Sequence, residues 1–108
     1  MLYELRTYLI PAGRMADILD RFATATMHLF ARHGIEVIGF WTVARPEANH
    51  ALVYLVRFAD EAAQERAWLA FRSDPEWVAT RARTEAGGPI VDQVISQTLV
   101  PTPFSPLQ

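Results

Sequence analysis

The chain has 108 residues, 51% hydrophobic and 20% charged, with ten basic against twelve acidic side chains and a net charge of −2. That length suits one domain, and the near-even charge argues against electrostatic capture of nucleic acid or of an anionic membrane. With no cysteine, disulfides, a thiolate nucleophile and cysteine-held iron–sulfur or zinc centres are excluded.

Residues 2–10 (LYELRTYLI) alternate, with Tyr3, Leu5, Thr7 and Leu9 on one face and Glu4, Arg6 and Tyr8 on the other. This period of two predicts a strand. Pro11, Ala12 and Gly13 break it. From about 13 to 33, Met15, Leu19, Phe22, Thr26 and Leu29 recur at helical spacing, with Ile18 and Ala25 beside them, which predicts an amphipathic helix. Asp17, Asp20, Arg21 and Arg32 fall mostly off that stripe, and Gly34 follows as a C′ residue.

Residues 35–44 (IEVIGFWTVA) read as a strand apolar on both faces, and 45–50 as a hairpin loop. Residues 51–58 (ALVYLVRF) form the antiparallel return strand. Asp60 caps a helix to about Arg72, and Asp74 with Pro75 starts another. Gly87, Gly88 and Pro89 stop it; residues 90–100 form the last strand and 101–108 an extended tail of the same domain.

The order β-α-β-β-α(α)-β predicts an α+β, ferredoxin-like fold: a four-stranded antiparallel sheet with helices on one face. With Tyr3, Leu5 and Leu9 turned to the helices, the other face would show Glu4, Arg6 and Tyr8. In the second strand Val37 and Trp41 would join the helical side, leaving Ile38, Phe40 and Thr42 on the other. A half-apolar face of that size exceeds what a monomer usually leaves wet. Burial against a second copy, in a closed two-fold homodimer, resolves the difficulty.

YELRTY (3–8), HGI…GFW (33–41), DPEW (74–77) and TPFSPL (102–107) occur in order along nearly the whole chain. Together they resemble the NIPSNAP family, which belongs to the dimeric α/β-barrel superfamily. The resemblance implies two ferredoxin-like protomers that join their sheets into a barrel. Its superfamily includes cofactor-independent monooxygenases, haem-degrading enzymes and chlorite dismutase-like proteins, whose pockets tend to lie between sheet and helices. Fold-level likeness of this kind does not assign a reaction.

Three groups of residues could carry chemistry. Glu4, Arg6 and Tyr8 stand as neighbours along one strand face and could orient a polar ligand, with Tyr8 moving a proton. The same three could instead form an ion-paired network at a dimer interface. Trp41, Trp68 and Trp77 could wall a flat substrate or simply fill the core. Trp68 and Phe71 share a helical face and suit a pocket wall. His33, in the last turn of the first helix, could act as a haem ligand or base, or interact with the carbonyls at the helix end. His28 reads as solvated or interfacial.

The histidine spacings fit no metal motif, no nucleotide or hydrolase signature occurs, and the absence of lysine excludes Schiff-base chemistry. No metal and no cofactor are expected. No stretch approaches the ~18 apolar residues of a spanning helix, and the N-terminus lacks signal-peptide form. A cytoplasmic location without membrane or nucleic-acid partners is therefore expected. Phe104 and Leu107 read as anchors packing onto the body or across to a partner subunit. The sequence thus predicts a homodimer that binds a small, partly apolar or aromatic molecule or serves as an interaction module. The alternative is a cofactor-independent monooxygenase acting on a phenol or quinol.

Overall fold

Alternating side chains make β1 (Leu2–Leu9) a strand, and its position in the middle of the sheet makes it the reference for everything else. The computed structural model describes residues 1–44 and 50–108, so the expected hairpin loop lies outside the described residues except for His50. After β1 come α1 (Met15–Arg21), a π-helical turn (Phe22–Thr26), α2 (Met27–Arg32), β2 (Glu36–Thr42) and β3 (Ala51–Phe58). Helices α3 (Glu61–Ser73) and α4 (Pro75–Thr84) and strand β4 (Gln93–Leu99) complete the order. The sheet is antiparallel in the order β2-β3-β1-β4, the ferredoxin-like arrangement expected.

The starts and stops follow local chemistry. Gly34 takes the left-handed conformation (φ 74°) that closes α2. The Asp60 carboxylate accepts from the Ala63 N–H at 2.8 Å, and that of Asp74 from the Glu76 N–H at 2.8 Å. Each thereby satisfies one orphan donor at a helix start. Between sheet and helices lies an aromatic-rich core in which Phe22, Phe30, Trp68 and Phe71 meet Leu52, Tyr54, Val56 and Phe58 of β3. Phe22 contacts the rings of Tyr8, Phe30, Phe40 and Tyr54, with centroids 4.9–6.0 Å away.

The two sheet faces are the reverse of the expectation. Glu4, Arg6 and Tyr8 lie beneath the helices, where Glu4 is buried and meets Trp68 of α3. Tyr3, Leu5, Thr7 and Leu9 occupy the opposite face, in register with Arg57, Leu55, Val53 and Ala51. Polarity alone had placed the charged set outside, but the helices and β4 supply the partners that let it be buried. In β2, a bulge between Val37 and Gly39 changes the parity of the strand. Val37 and Phe40 therefore both face the helices, with Phe40 stacked on Tyr54. Trp41 turns to the open face and is 53% exposed. Its ring folds over Gly39, where a Cβ would meet it at 2.8 Å.

The helical stripe also differs. Ile18, Arg21, Phe22, Ala25 and Leu29 are buried, whereas Leu19 is largely exposed. The stripe is centred one position away from that expected, and the π turn carries it on to Thr26 and Phe30. The tail does not pack its apolar anchors onto the body, because Phe104 is 86% exposed. Polar contacts hold it instead: Gln108 Nε2 donates to the Thr102 and Ser105 carbonyls, and the Tyr3 hydroxyl donates to the Gln108 carbonyl.

Candidate functional site

A cavity of about 340 Å³ opens between β1, β4 and the helices. Arg6 and Tyr8 reach its wall from β1 because even-numbered positions of that strand face inward, and Val94 does so from the adjacent β4. Helix α3 contributes Trp68 and Phe71, three residues apart on one face, and α4 contributes Trp77 and Arg81. Trp77 follows the Asp74–Pro75 helix start, which aims it at Phe71, with ring centroids 4.6 Å apart.

Behind this wall sits a hydrogen-bonded network centred on Glu4. Its Oε2 accepts from Arg6 Nη1 at 2.8 Å and from the Ser96 hydroxyl at 2.6 Å. Its Oε1 accepts from Trp68 Nε1 at 2.7 Å and from Gln64 Nε2 at 2.8 Å. Burial alone would raise the Glu4 pKa, but the bonds from Ser96, Arg6, Gln64 and Trp68 outweigh it and hold the carboxyl below its ordinary value.

Arg6 lies with its guanidinium carbon 4.4 Å from the Trp68 ring centre and donates through Nε to the Tyr54 hydroxyl at 2.7 Å. The Tyr54 and Tyr8 hydroxyls share a hydrogen bond of 2.9 Å. Tyr54 is fully buried; burial first, and then Tyr8, push its phenol well above the usual range, and Arg6 only partly offsets this. Tyr54 thus stays a neutral phenol that links Arg6 to Tyr8. The Tyr8 hydroxyl at the cavity wall and the nearby guanidinium can together bind an oxygen atom and stabilise negative charge on it.

Of the residues singled out from sequence, Arg6, Tyr8, Trp68 and Trp77 line the cavity, and Glu4 stands directly behind Arg6 and Trp68. His33 and Trp41 lie outside that lining. His33 Nε2 instead meets Asp74 Oδ2 at 2.6 Å, and His28 Nε2 meets Glu76 Oε2 at 2.7 Å, both joining α2 to α4. The bond from His33, followed by the Glu76 N–H and Arg32, lowers the Asp74 pKa to about 2. Among the described residues no group of three or more His, Asp or Glu side chains is placed to hold a metal.

The sequence reading missed Tyr54 and Arg21. Tyr54 stood in an apolar run, and its role required the register that sets it opposite Arg6. Arg21 carried a signal that could have found it, since positions 18, 21, 22, 25 and 29 make one helical face. Its buried guanidinium packs 4.9 Å from the Trp77 ring centre and donates through Nη1 to Glu85 at 3.1 Å.

The family model described as NIPSNAP matches residues 3–106 of the chain. The chain belongs to the NIPSNAP family. An uncharacterized NIPSNAP domain protein from Burkholderia xenovorans superposes with a TM-score of 0.84 at 24% identity, over 98% of this chain and 99% of that one. A NIPSNAP family protein with unknown function from Agrobacterium tumefaciens gives 0.86 at 20% identity, over 100% and 94%. Outside the NIPSNAP proteins, SnoaB, a cofactor-independent oxygenase from Streptomyces nogalater, gives 0.63 at 14% identity, over 97% and 96%. At these identities the structural likeness establishes the fold alone. No curated protein matches the chain.

Proposed function

We propose that this NIPSNAP protein is a homodimer whose cavity between sheet and helices binds a small, partly apolar molecule. The observation that carries this reading is the cavity wall itself, where two indoles and a phenylalanine ring meet the Arg6 and Tyr8 polar groups. A concave site that sets aromatic rings against fixed polar groups has the general form of a ligand site, and here the polar share of the lining is as large as the apolar one. The homodimer is supported by the open sheet face, where Leu5, Val53, Leu55, Ile95 and Leu99 stand together with Trp41. Face-to-face packing of two copies would cover that surface, and Phe104 then docks across to the second copy.

Native mass spectrometry of untagged protein tests both parts. A dimer with added small-molecule mass is expected; a monomer at micromolar concentration would overturn the dimer. A bare dimer that also fails to take up a panel of aromatic ligands would overturn the binding role and favour an interaction module.

A second reading, a cofactor-independent monooxygenase, is favoured by the Arg6–Tyr54–Tyr8 relay at the cavity wall and is in keeping with the fold shared with SnoaB. Tyr8 and Arg6 would bind the oxygen of a phenol and stabilise it as the phenolate, its proton passing to solvent through the open cavity mouth. The substrate would supply the electrons: one atom of molecular oxygen enters the ring as a quinone carbonyl, and the other leaves as water with the two displaced hydrogens. Metal-free oxygen uptake with a phenol or quinol, lost in Tyr8→Phe while the protein stays folded, is the expected result. No uptake across a panel of such substrates would remove this reading.

A further inference from the structure

The cavity has a second polar end, built from Arg21, Arg72 and Arg81, and with Arg6 at the inner end the cavity carries four guanidiniums in all. Against these four stand two carboxylates, Glu85 and Asp92. Arg6 is neutralised from behind by Glu4. Arg21 and Arg81 share a single oxygen, Glu85 Oε2, at 3.1 and 3.0 Å. Arg72 has no ion-pair partner among the described residues.

Arg21 is only 5% exposed, and its Nε–H is buried without an acceptor. One carboxylate therefore serves two guanidiniums, and a third stands beside them unpaired. For Arg21, buried with a donor unmet among the described residues, this is costly, whereas Arg72 and Arg81 stand exposed beside it with their guanidiniums open to an incoming anion. The place is also a rim, because Arg72, Trp77, Arg81 and Glu85 line both the cavity and an adjoining outer depression of about 410 Å³.

We propose that this rim is an anion subsite, and that the molecule the cavity takes is a flat aromatic carboxylate. Arg72 and Arg81 hold the carboxylate at the rim, and the cationic Arg21 stands behind them. The ring lies inward among Trp68, Phe71 and Trp77. Guanidinium forks match a carboxylate in geometry, and the charged hydrogen bonds are stronger than those to a neutral amide. The inner end, with Tyr8 and Arg6, then meets whatever polar substituent the ring carries. Arg72 and Arg81 become the specificity-determining residues.

The proposal rests on the cavity being a small-molecule site, and one experiment separates the two claims. Calorimetric titration compares 1-naphthoate with its neutral counterpart 1-naphthamide. Naphthoate is expected to bind about tenfold more tightly, with a dissociation constant that rises with salt. Arg81→Gln and Arg72→Gln should each narrow the ratio between the two ligands. Equal affinity for both ligands, or a ratio unmoved in both variants, overturns the anion subsite and leaves the cavity reading standing. If neither ligand binds at millimolar concentration, the cavity reading fails and takes the subsite with it.

Discussion

Along β1 and β4 the two faces of the sheet invert the usual relation between polarity and exposure, while β3 lays Leu52, Val56 and Phe58 under the helices in the ordinary way. Beneath the helices, β1, β3 and β4 place Glu4, Arg6, Tyr8, Tyr54, Ser96 and Thr98 in one hydrogen-bonded patch. On the open side the same strands place Leu5, Val53, Leu55, Ile95 and Leu99. The covered face can be polar because every donor aimed at Glu4 finds a lone pair there, so burial strands nothing. The open face can be apolar if a second copy covers it. Polarity along a strand therefore says that two faces differ; it does not say which one the helices take.

That contrast can be broken from either side. The largest effect is expected on the open face: Leu55→Glu, at its centre, would bury an unpaired charge between two copies. It should raise the dimer dissociation constant by ~100-fold or more, measured by sedimentation, with the monomer's fold intact by circular dichroism. A variant that remains dimeric would place the contact elsewhere.

On the covered face, truncation should act on the fold itself. Glu4→Ala leaves the Arg6 guanidinium without its counter-charge and strips an acceptor from Trp68 and Ser96. A loss of ~3–5 kcal/mol in urea denaturation is expected. Tyr54→Phe removes only the hydroxyl between Arg6 and Tyr8 and should cost about 1–3 kcal/mol. Equal costs for the two would mean that the network is held by Tyr54 rather than by Glu4.

The smallest effect is expected where neither face is touched, at the latch from Arg32 and His33 to Asp74. Asp74 has a folded pKa of about 2, below that of an unfolded aspartate. Its stabilising contribution is therefore complete above about pH 5 and declines as pH falls through ~3.9, the unfolded value. It is gone once pH drops below the folded pKa. The melting-temperature gap between the protein and Asp74→Asn should shrink along that course, and a gap unchanged between pH 5 and pH 2 would contradict the assignment.

Much of this architecture was readable in advance. The element order, the Asp60 and Asp74 caps, the Gly34 stop and the family motifs depend on spacing and on single residues, which a sequence displays directly. Part of the candidate site was readable too, since Arg6, Tyr8, Trp68 and Trp77 were singled out and all reach the cavity. Trp41 and His33 were grouped with them by residue type. A bulge at one strand and a carboxylate on another helix placed them elsewhere.

By itself the sequence determined the strands, the helices, their order and the family, because periodicity and capping are local properties. Only the tertiary structure decided which sheet face is covered, that Tyr54 bridges Arg6 and Tyr8, and that Arg21, Arg72 and Arg81 gather at one rim. Those outcomes turn on register, on a single bulged residue and on pairs more than forty residues apart, such as Arg6 with Tyr54 and Arg21 with Glu85. A buried charge is tolerated only where its partners arrive, and nothing local in the chain states where that will be.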